Sequence, residues 1–345
     1  MTNSSLLRFL PVILAAGTML AAPVATAQEG PGAGTTVRMA QATWDTGWFH
    51  AEIYKQMLEK LDYTVDGPTT LDNPPFYQAV AQGDLDLWVN GWFPLHNTYE
   101  STYSQGAQLV GAVAKGGALE GYLVDKASIE KYGIKTLEDF KRDEVKQAFD
   151  RDGDGKADLV ACPPGWGCEI TIEHHLDAYS LRDHVNPIKA SYAASMADAV
   201  AAHGEGKPIL FYTWTPNWTV DTLKPGEDVM WIEVPEVNLP EEQKELEDAA
   251  MLDGVDGCVN DPCKLGFPAN DIRPVVNLEF LEANPAVGAL LTAASIPIAD
   301  IFAQNAKMND GEGSSDDVKR HASEWIEANA TLVNGWLEKA RAAAD

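Results

Sequence analysis

Along the first third of the chain the apolar positions switch repeatedly between strand and helix spacing. Residues 37–42 form a short apolar run that reads as a strand, and from about residue 49 to residue 61 the apolar positions recur at helical intervals. Tyr63, Thr64 and Val65 resume strand character, residues 76–82 read as a short helix, and residues 85–89 alternate like a strand. This β-α-β-α-β order predicts an open sheet with ligands beyond the strand ends, where Trp92 and His96 follow.

A further strand at residues 121–124 reads as a crossover into a second lobe. Helical patterns at 134–149, 170–179 and 195–203 are followed by strands at 209–212 and 229–232, the first ending at Trp214. Residues 273–278 return to the first lobe, and 281–337 read as helical with breaks at Pro285, Pro297 and 311–315. The predicted architecture is an α/β protein of two lobes, residues 28–118 plus 272–345 and residues 119–271, with no internal repeat.

Composition adds a compartment. Arg8 in a polar start, an apolar stretch over 9–22 and Ala25-Thr26-Ala27 read as a cleaved secretory signal covering residues 1–27. The remaining 318 of 345 residues exceed the size at which one core usually stops growing, which agrees with two lobes. The net charge of −27, or −28 once Arg8 is removed, argues against nucleic acid or anionic lipid as a partner. A monomer is expected. The four cysteines fall in two close pairs, Cys162/Cys168 and Cys258/Cys263, and an exported chain makes a disulfide within each pair the economical assignment. Zinc is the competitor, although neither spacing is C-x2-C and no histidine sits suitably beside either pair.

Three tryptophans lie in turn-forming settings: Gly91-Trp92-Phe93-Pro94-Leu95-His96, Pro163-Pro164-Gly165-Trp166-Gly167-Cys168 and Tyr212-Thr213-Trp214-Thr215-Pro216. A quaternary ammonium accepts and donates no hydrogen bonds, so aromatic faces are its natural partners. Each desolvated face contributes roughly 0.5–2 kcal/mol, so three or four with methyl burial reach the ~8 kcal/mol of a micromolar complex. Any one of these indoles alone is better explained as core packing. His96, Asp45 and Glu169 would be the acid-base candidates of a hydrolase, but no G-x-S-x-G or H-E-x-x-H spacing occurs, and no catalysis or catalytic cofactor is expected.

These segments, with Leu58-Glu59-Lys60-Leu61-Asp62-Tyr63, Gly121-Tyr122-Leu123-Val124-Asp125-Lys126 and Asp152-Gly153-Asp154-Gly155-Lys156, resemble the periplasmic substrate-binding proteins of ATP-binding-cassette importers for glycine betaine and related quaternary amines. The likeness covers nearly all of the chain after residue 27. It implies a type II periplasmic binding protein fold, two α/β lobes on a hinge of two crossovers, closing on a small trimethylammonium ligand that a membrane permease then receives. Carried over, Trp92, Trp166 and Trp214 would box the ammonium, and His96 with the backbone N–H groups of Gly167 and Cys168 would hold the anionic end. A Gly-rich turn opening a helix suits that second role, because its N–H groups are unpaired.

The chain also departs from the betaine pattern. Trp44 and Trp48 follow the first strand and offer a fourth indole, and Glu120 stands before the crossover strand, where its carboxyl could share a proton with an N-oxide oxygen. Residues 252–263 read as an inserted loop in which Asp253, Asp256, Asn260 and Asp261 would suit a structural Ca²⁺. Residues 150–158 imitate an EF-hand start, but Ala161 stands where its bidentate glutamate would be. Four tryptophans and a calcium loop resemble the trimethylamine N-oxide binders of this group, so that ligand is favoured by a modest margin over glycine betaine.

Overall fold

The computed structural model describes Met1 and residues 29–344, so the signal expected over residues 1–27 lies outside the described residues except for Met1. Two sheets carry the molecule. The first contains β1 (Thr36–Ala42), β2 (Thr64–Leu71), β3 (Leu87–Phe93), β4 (Ala107–Leu109) and β5 (Ala114–Ala118). The second contains β6 (Glu120–Asp125), β7 (Ala157–Val160), β8 (Val185–Ile188), β9 (Leu210–Trp214) and β10 (Val229–Ile232). A two-stranded ribbon, β11 (Met251–Leu252) with β12 (Cys263–Lys264), precedes β13 (Asn270–Asn277), which returns to the first sheet.

Strand order in the first sheet is β2-β1-β3-β13-β4, with β5 also on β13; the second runs β10-β6-β9-β7-β8. The pairs among β1, β2 and β3 are parallel, and β13 lies antiparallel to β3, so the chain's late return fills the middle of the sheet. β3 is buried at all seven positions, the signature of a central strand covered on both faces. Its sequence was expected to alternate, but covering by helices on both sides removes the need for a polar face.

Two passages join the sheets, one between β5 and β6 and one between β12 and β13. Glu120 opens β6 and Asn270 opens β13, and the Asn270 amide donates to Glu120 Oε2 at 2.7 Å, tying the passages together. The helix expected over 134–149 is broken: a 3₁₀ turn, Leu137–Lys141, is followed by a separate helix Asp143–Phe149, with extended backbone at Arg142. Helix Gly167–Ala178 starts three residues earlier than its apolar spacing suggested, which places Gly167 and Cys168 in its first turn.

Candidate functional site

The carboxyl ends of β1, β3 and β9 and the start of helix Gly167–Ala178 converge on one small cavity between the sheets. Trp44, Asn73, Trp92, Leu95, His96, Glu120, Trp166, Gly167, Cys168, Tyr212 and Trp214 line it. Trp44 and Trp166 meet edge to face with ring centroids 5.3 Å apart at 69°, and Trp166 meets Trp214 at 5.6 Å and 74°. The three indoles therefore stand as adjoining walls. Tyr192 backs them, 4.7 Å from Trp214 and 5.9 Å from Trp166.

Trp92 lies on β3 opposite Ile272, lines the cavity, and its buried Nε1 has no hydrogen-bond partner among the described residues. Trp48, paired with Trp44 in the sequence reading, does not line the cavity. It begins helix Trp48–Glu59 and its Nε1 donates back to the Ala42 carbonyl at 2.9 Å, which turns the ring toward an outer groove. That groove also touches the outer sides of Trp44, Trp166 and Trp214.

At the opposite end stands His96, fully buried. Its Nδ1 accepts from the Tyr77 hydroxyl at 2.8 Å and the Trp92 N–H at 3.2 Å, so the ring proton sits on Nε2. Burial pushes its pKa down to about 3, and the imidazole is neutral. The amide atom placed 3.1 Å from Nε2 is Asn73 Nδ2, and Asn73 Oδ1 has no partner among the described residues; because Nε2 carries the proton, the consistent orientation is the amide turned over, with its oxygen accepting from the ring and its NH2 left unpaired. Gly167 packs against the same ring: a Cβ there would fall 2.9 Å from His96 Cδ2. Trp166 is the N-cap of the helix and provides no capping bond, so the Gly167 and Cys168 N–H groups face the cavity uncapped. Donors, a helix N-terminus and a neutral imidazole make this end receptive to an anion.

Glu120 is the one carboxyl group on the cavity wall. The pairing of Glu120 with Trp214 across β6 and β9 puts both on one face, and Tyr212, two residues before Trp214, shares that face. The Tyr212 hydroxyl donates to Glu120 Oε1 while Asn270 holds Oε2. Burial pushes the Glu120 carboxyl up to about 7 against the pull of these two hydrogen bonds. Asn73, Leu95 and Tyr212 were missed in the sequence; for Tyr212 the strand period of two, counted back from Trp214, would have found it.

The acid-base candidates do not assemble around His96. Neither of its ring nitrogens meets a carboxylate, Glu169 pairs with Lys189 at 2.6 Å, and Asp45 faces the outer groove. The disulfides join Cys162 to Cys168 and Cys258 to Cys263, each with Cα atoms 6.1 Å apart. In the loop read as a calcium site, Asp253, Asp256 and Asp261 are exposed, Asp261 Oδ1 accepts the Gly254 N–H at 2.8 Å and Asn260 donates to Glu233 Oε2 at 2.6 Å. Converging carboxylates occur instead at Asp150, Asp152 and Asp158, where Asp150 accepts the N–H groups of Gly153 and Gly155.

Two α/β sheets joined by two passages, with an aromatic cavity between them, define the type II periplasmic binding protein class. The chain belongs to the family described as the substrate binding domain of ABC-type glycine betaine transport systems, matched over residues 35–328. It is 40% identical to the glycine betaine-binding periplasmic protein OusX of Dickeya dadantii over 96% of this chain and 97% of that protein. Identity to the trimethylamine N-oxide-binding protein of Pelagibacter ubique is 24%, over 84% of this chain and 86% of that one. In fold it is similar to the ProX glycine betaine/L-proline-binding protein of Borrelia burgdorferi, with a TM-score of 0.69 and 18% identity across 90% of this chain and all of that one.

Proposed function

We propose that this protein captures a quaternary ammonium osmolyte, glycine betaine foremost, in the periplasm and presents it to the permease of an ATP-binding-cassette importer. One observation carries the reading: Trp44 and Trp92 from the first sheet's side and Trp166 and Trp214 from the second share a single cavity whose far end offers the Asn73 amide, oriented by a neutral His96, and the uncapped Gly167 and Cys168 N–H groups. The indole faces take the methylated cation and the donors take the carboxylate. Residues 36–118 with 270–342 act as one lobe and 120–264 as the other, and a ligand touching both biases the hinge through its extra contacts in the closed form. The signal over residues 1–27 directs export, and the protein acts as a monomer.

The greater identity to a glycine betaine binder places that ligand ahead of trimethylamine N-oxide, which the sequence alone had favoured. A second reading keeps the N-oxide, because Glu120 lies in the cavity with a carboxyl that is protonated for much of the time near neutrality and can donate to an N-oxide oxygen. Calorimetry against glycine betaine, trimethylamine N-oxide, choline and carnitine, with analysis of the recovered ligand, tests both. Saturable one-to-one retention of unchanged betaine supports the reading. Binding of none of the four, or turnover to products, ends it.

A further inference from the structure

A hydrogen-bond chain outside the cavity crosses the cleft between the lobes. Trp166 Nε1 donates to Thr43 Oγ1 at 2.9 Å, and Thr43 Oγ1 donates to Asp72 Oδ1 at 2.7 Å. Thr43 and Asp72 follow directly on β1 and β2, where Ala42 is in register with Leu71, so the sheet itself sets them side by side. Trp166 comes from the other lobe, on the turn that opens helix Gly167–Ala178. The same turn rests on the carboxylate's stem, since a Cβ at Gly165 would lie 3.6 Å from Asp72 Cβ.

Chemistry gives this chain one direction. A carboxylate only accepts and a hydroxyl has one proton, so the bond to Asp72 commits the Thr43 proton and turns a lone pair to the indole N–H. Asp72 is the N-cap residue of helix Asn73–Gln82, a position where aspartate ordinarily accepts a backbone N–H of the first turn. Here its side chain makes no such bond, and the carboxylate is committed to Thr43. Trp214, the other cavity-lining indole from the second lobe, repeats the arrangement more loosely, with Nε1 3.4 Å from Thr46 Oγ1 in the same turn.

We infer that Asp72 and Thr43 form a closure latch for the cage. They are positioning residues: neither lines the cavity, and they act by holding the Trp166 ring in its wall orientation from the opposite lobe. The inference rests on the capture reading for its ligand. A bond that joins the lobes stabilises the closed form over the open one, so its loss speeds release and leaves association unchanged.

The test uses Thr43→Val, Thr43→Ser and Asp72→Ala in the whole protein. Release of glycine betaine is followed by stopped-flow tryptophan fluorescence. The Trp166 indole N–H resonance, assigned by its disappearance in Trp166→Phe, is recorded with and without betaine. Thr43→Val and Asp72→Ala are expected to release ligand about fivefold faster and to shift the indole signal, while Thr43→Ser keeps both within about twofold of the wild type. Wild-type release with an unmoved indole signal in both variants overturns the latch, as does a serine variant that behaves like valine. A wild type that retains no quaternary amine sinks the capture reading by itself, and the indole comparison without ligand then decides the latch.

Discussion

Gly167 lies against His96 so closely that a side chain there would press its first carbon to 2.9 Å from the ring's Cδ2 and 3.1 Å from Leu95 Cγ. The anion-binding end of the cavity depends on that approach, because the helix N-terminus and the Asn73 amide that His96 orients must reach the same small group. Gly167→Ala favours the helix itself, since alanine is the better helix former. We expect it to keep the fold and its circular dichroism yet weaken betaine binding by about tenfold or more, read by calorimetry. Undiminished affinity would show that the helix start and the Asn73 amide do not share a ligand.

Each cage indole is expected to matter. Trp92→Ala, Trp166→Ala and Trp214→Ala should each weaken binding by about tenfold or more, which is the scale of one desolvated cation–π contact with its lost packing. Titration curves unchanged in all three variants would refute the cage.

Trp44 and Trp48 are four residues apart and separate cleanly. Trp44→Ala removes a cavity wall and should weaken binding by about tenfold, whereas Trp48→Ala empties part of the outer groove and should stay within about twofold. Equal losses would mean that the ligand extends into the groove.

Glu120 gives the protein a pH signature. Its folded pKa of about 7 lies above the ordinary 4.5, so the native state holds a proton that the unfolded chain has lost. The sign follows from linkage: this contribution is fully present below pH 4.5 and is lost as pH rises through 7. A shift of this size corresponds to about 3 kcal/mol. Glu120→Gln should therefore gain melting temperature relative to the wild type as pH goes from about 5 to about 8. The difference at any single pH also carries the mismatch between the new amide and the Asn270 amide. A constant difference across that window would place the titration elsewhere.

The same variant separates the ligands. Glu120→Gln should weaken trimethylamine N-oxide binding and spare or improve glycine betaine binding, because the N-oxide oxygen loses an O–H donor, whereas a betaine carboxylate held at the helix start loses only the repulsion of the ionised form. Equal losses for both would leave Glu120 as a residue of the passage between lobes, bonded to Asn270.

Much of the fold was legible because it is written in local periodicity. The alternation of strand and helix spacing in the first lobe, the turn-flanked tryptophans and the close cysteine pairs are all properties of neighbouring residues. β7 and β8 were not legible: each has four residues, and Asp158 in one and Asn186 and Pro187 in the other interrupt the apolar run that made the equally short β10 readable. The break at Arg142 was also invisible, since its apolar spacing is compatible with one continuous helix.

The sequence by itself determined the class of the protein and the residue types of its site, since indoles in Gly/Pro turns, a histidine four residues after Trp92 and a Gly-Cys helix start are chemistry carried in short stretches. Tertiary structure decided which of them meet. It chose Trp44 over Trp48, brought Asn73 and Tyr212 to the wall, buried Glu120 beside Asn270, and joined Trp166 to Thr43 and Asp72. These are contacts between residues far apart in the chain, set by strand register and by which way each ring's polar edge finds a partner, and no local pattern encodes them.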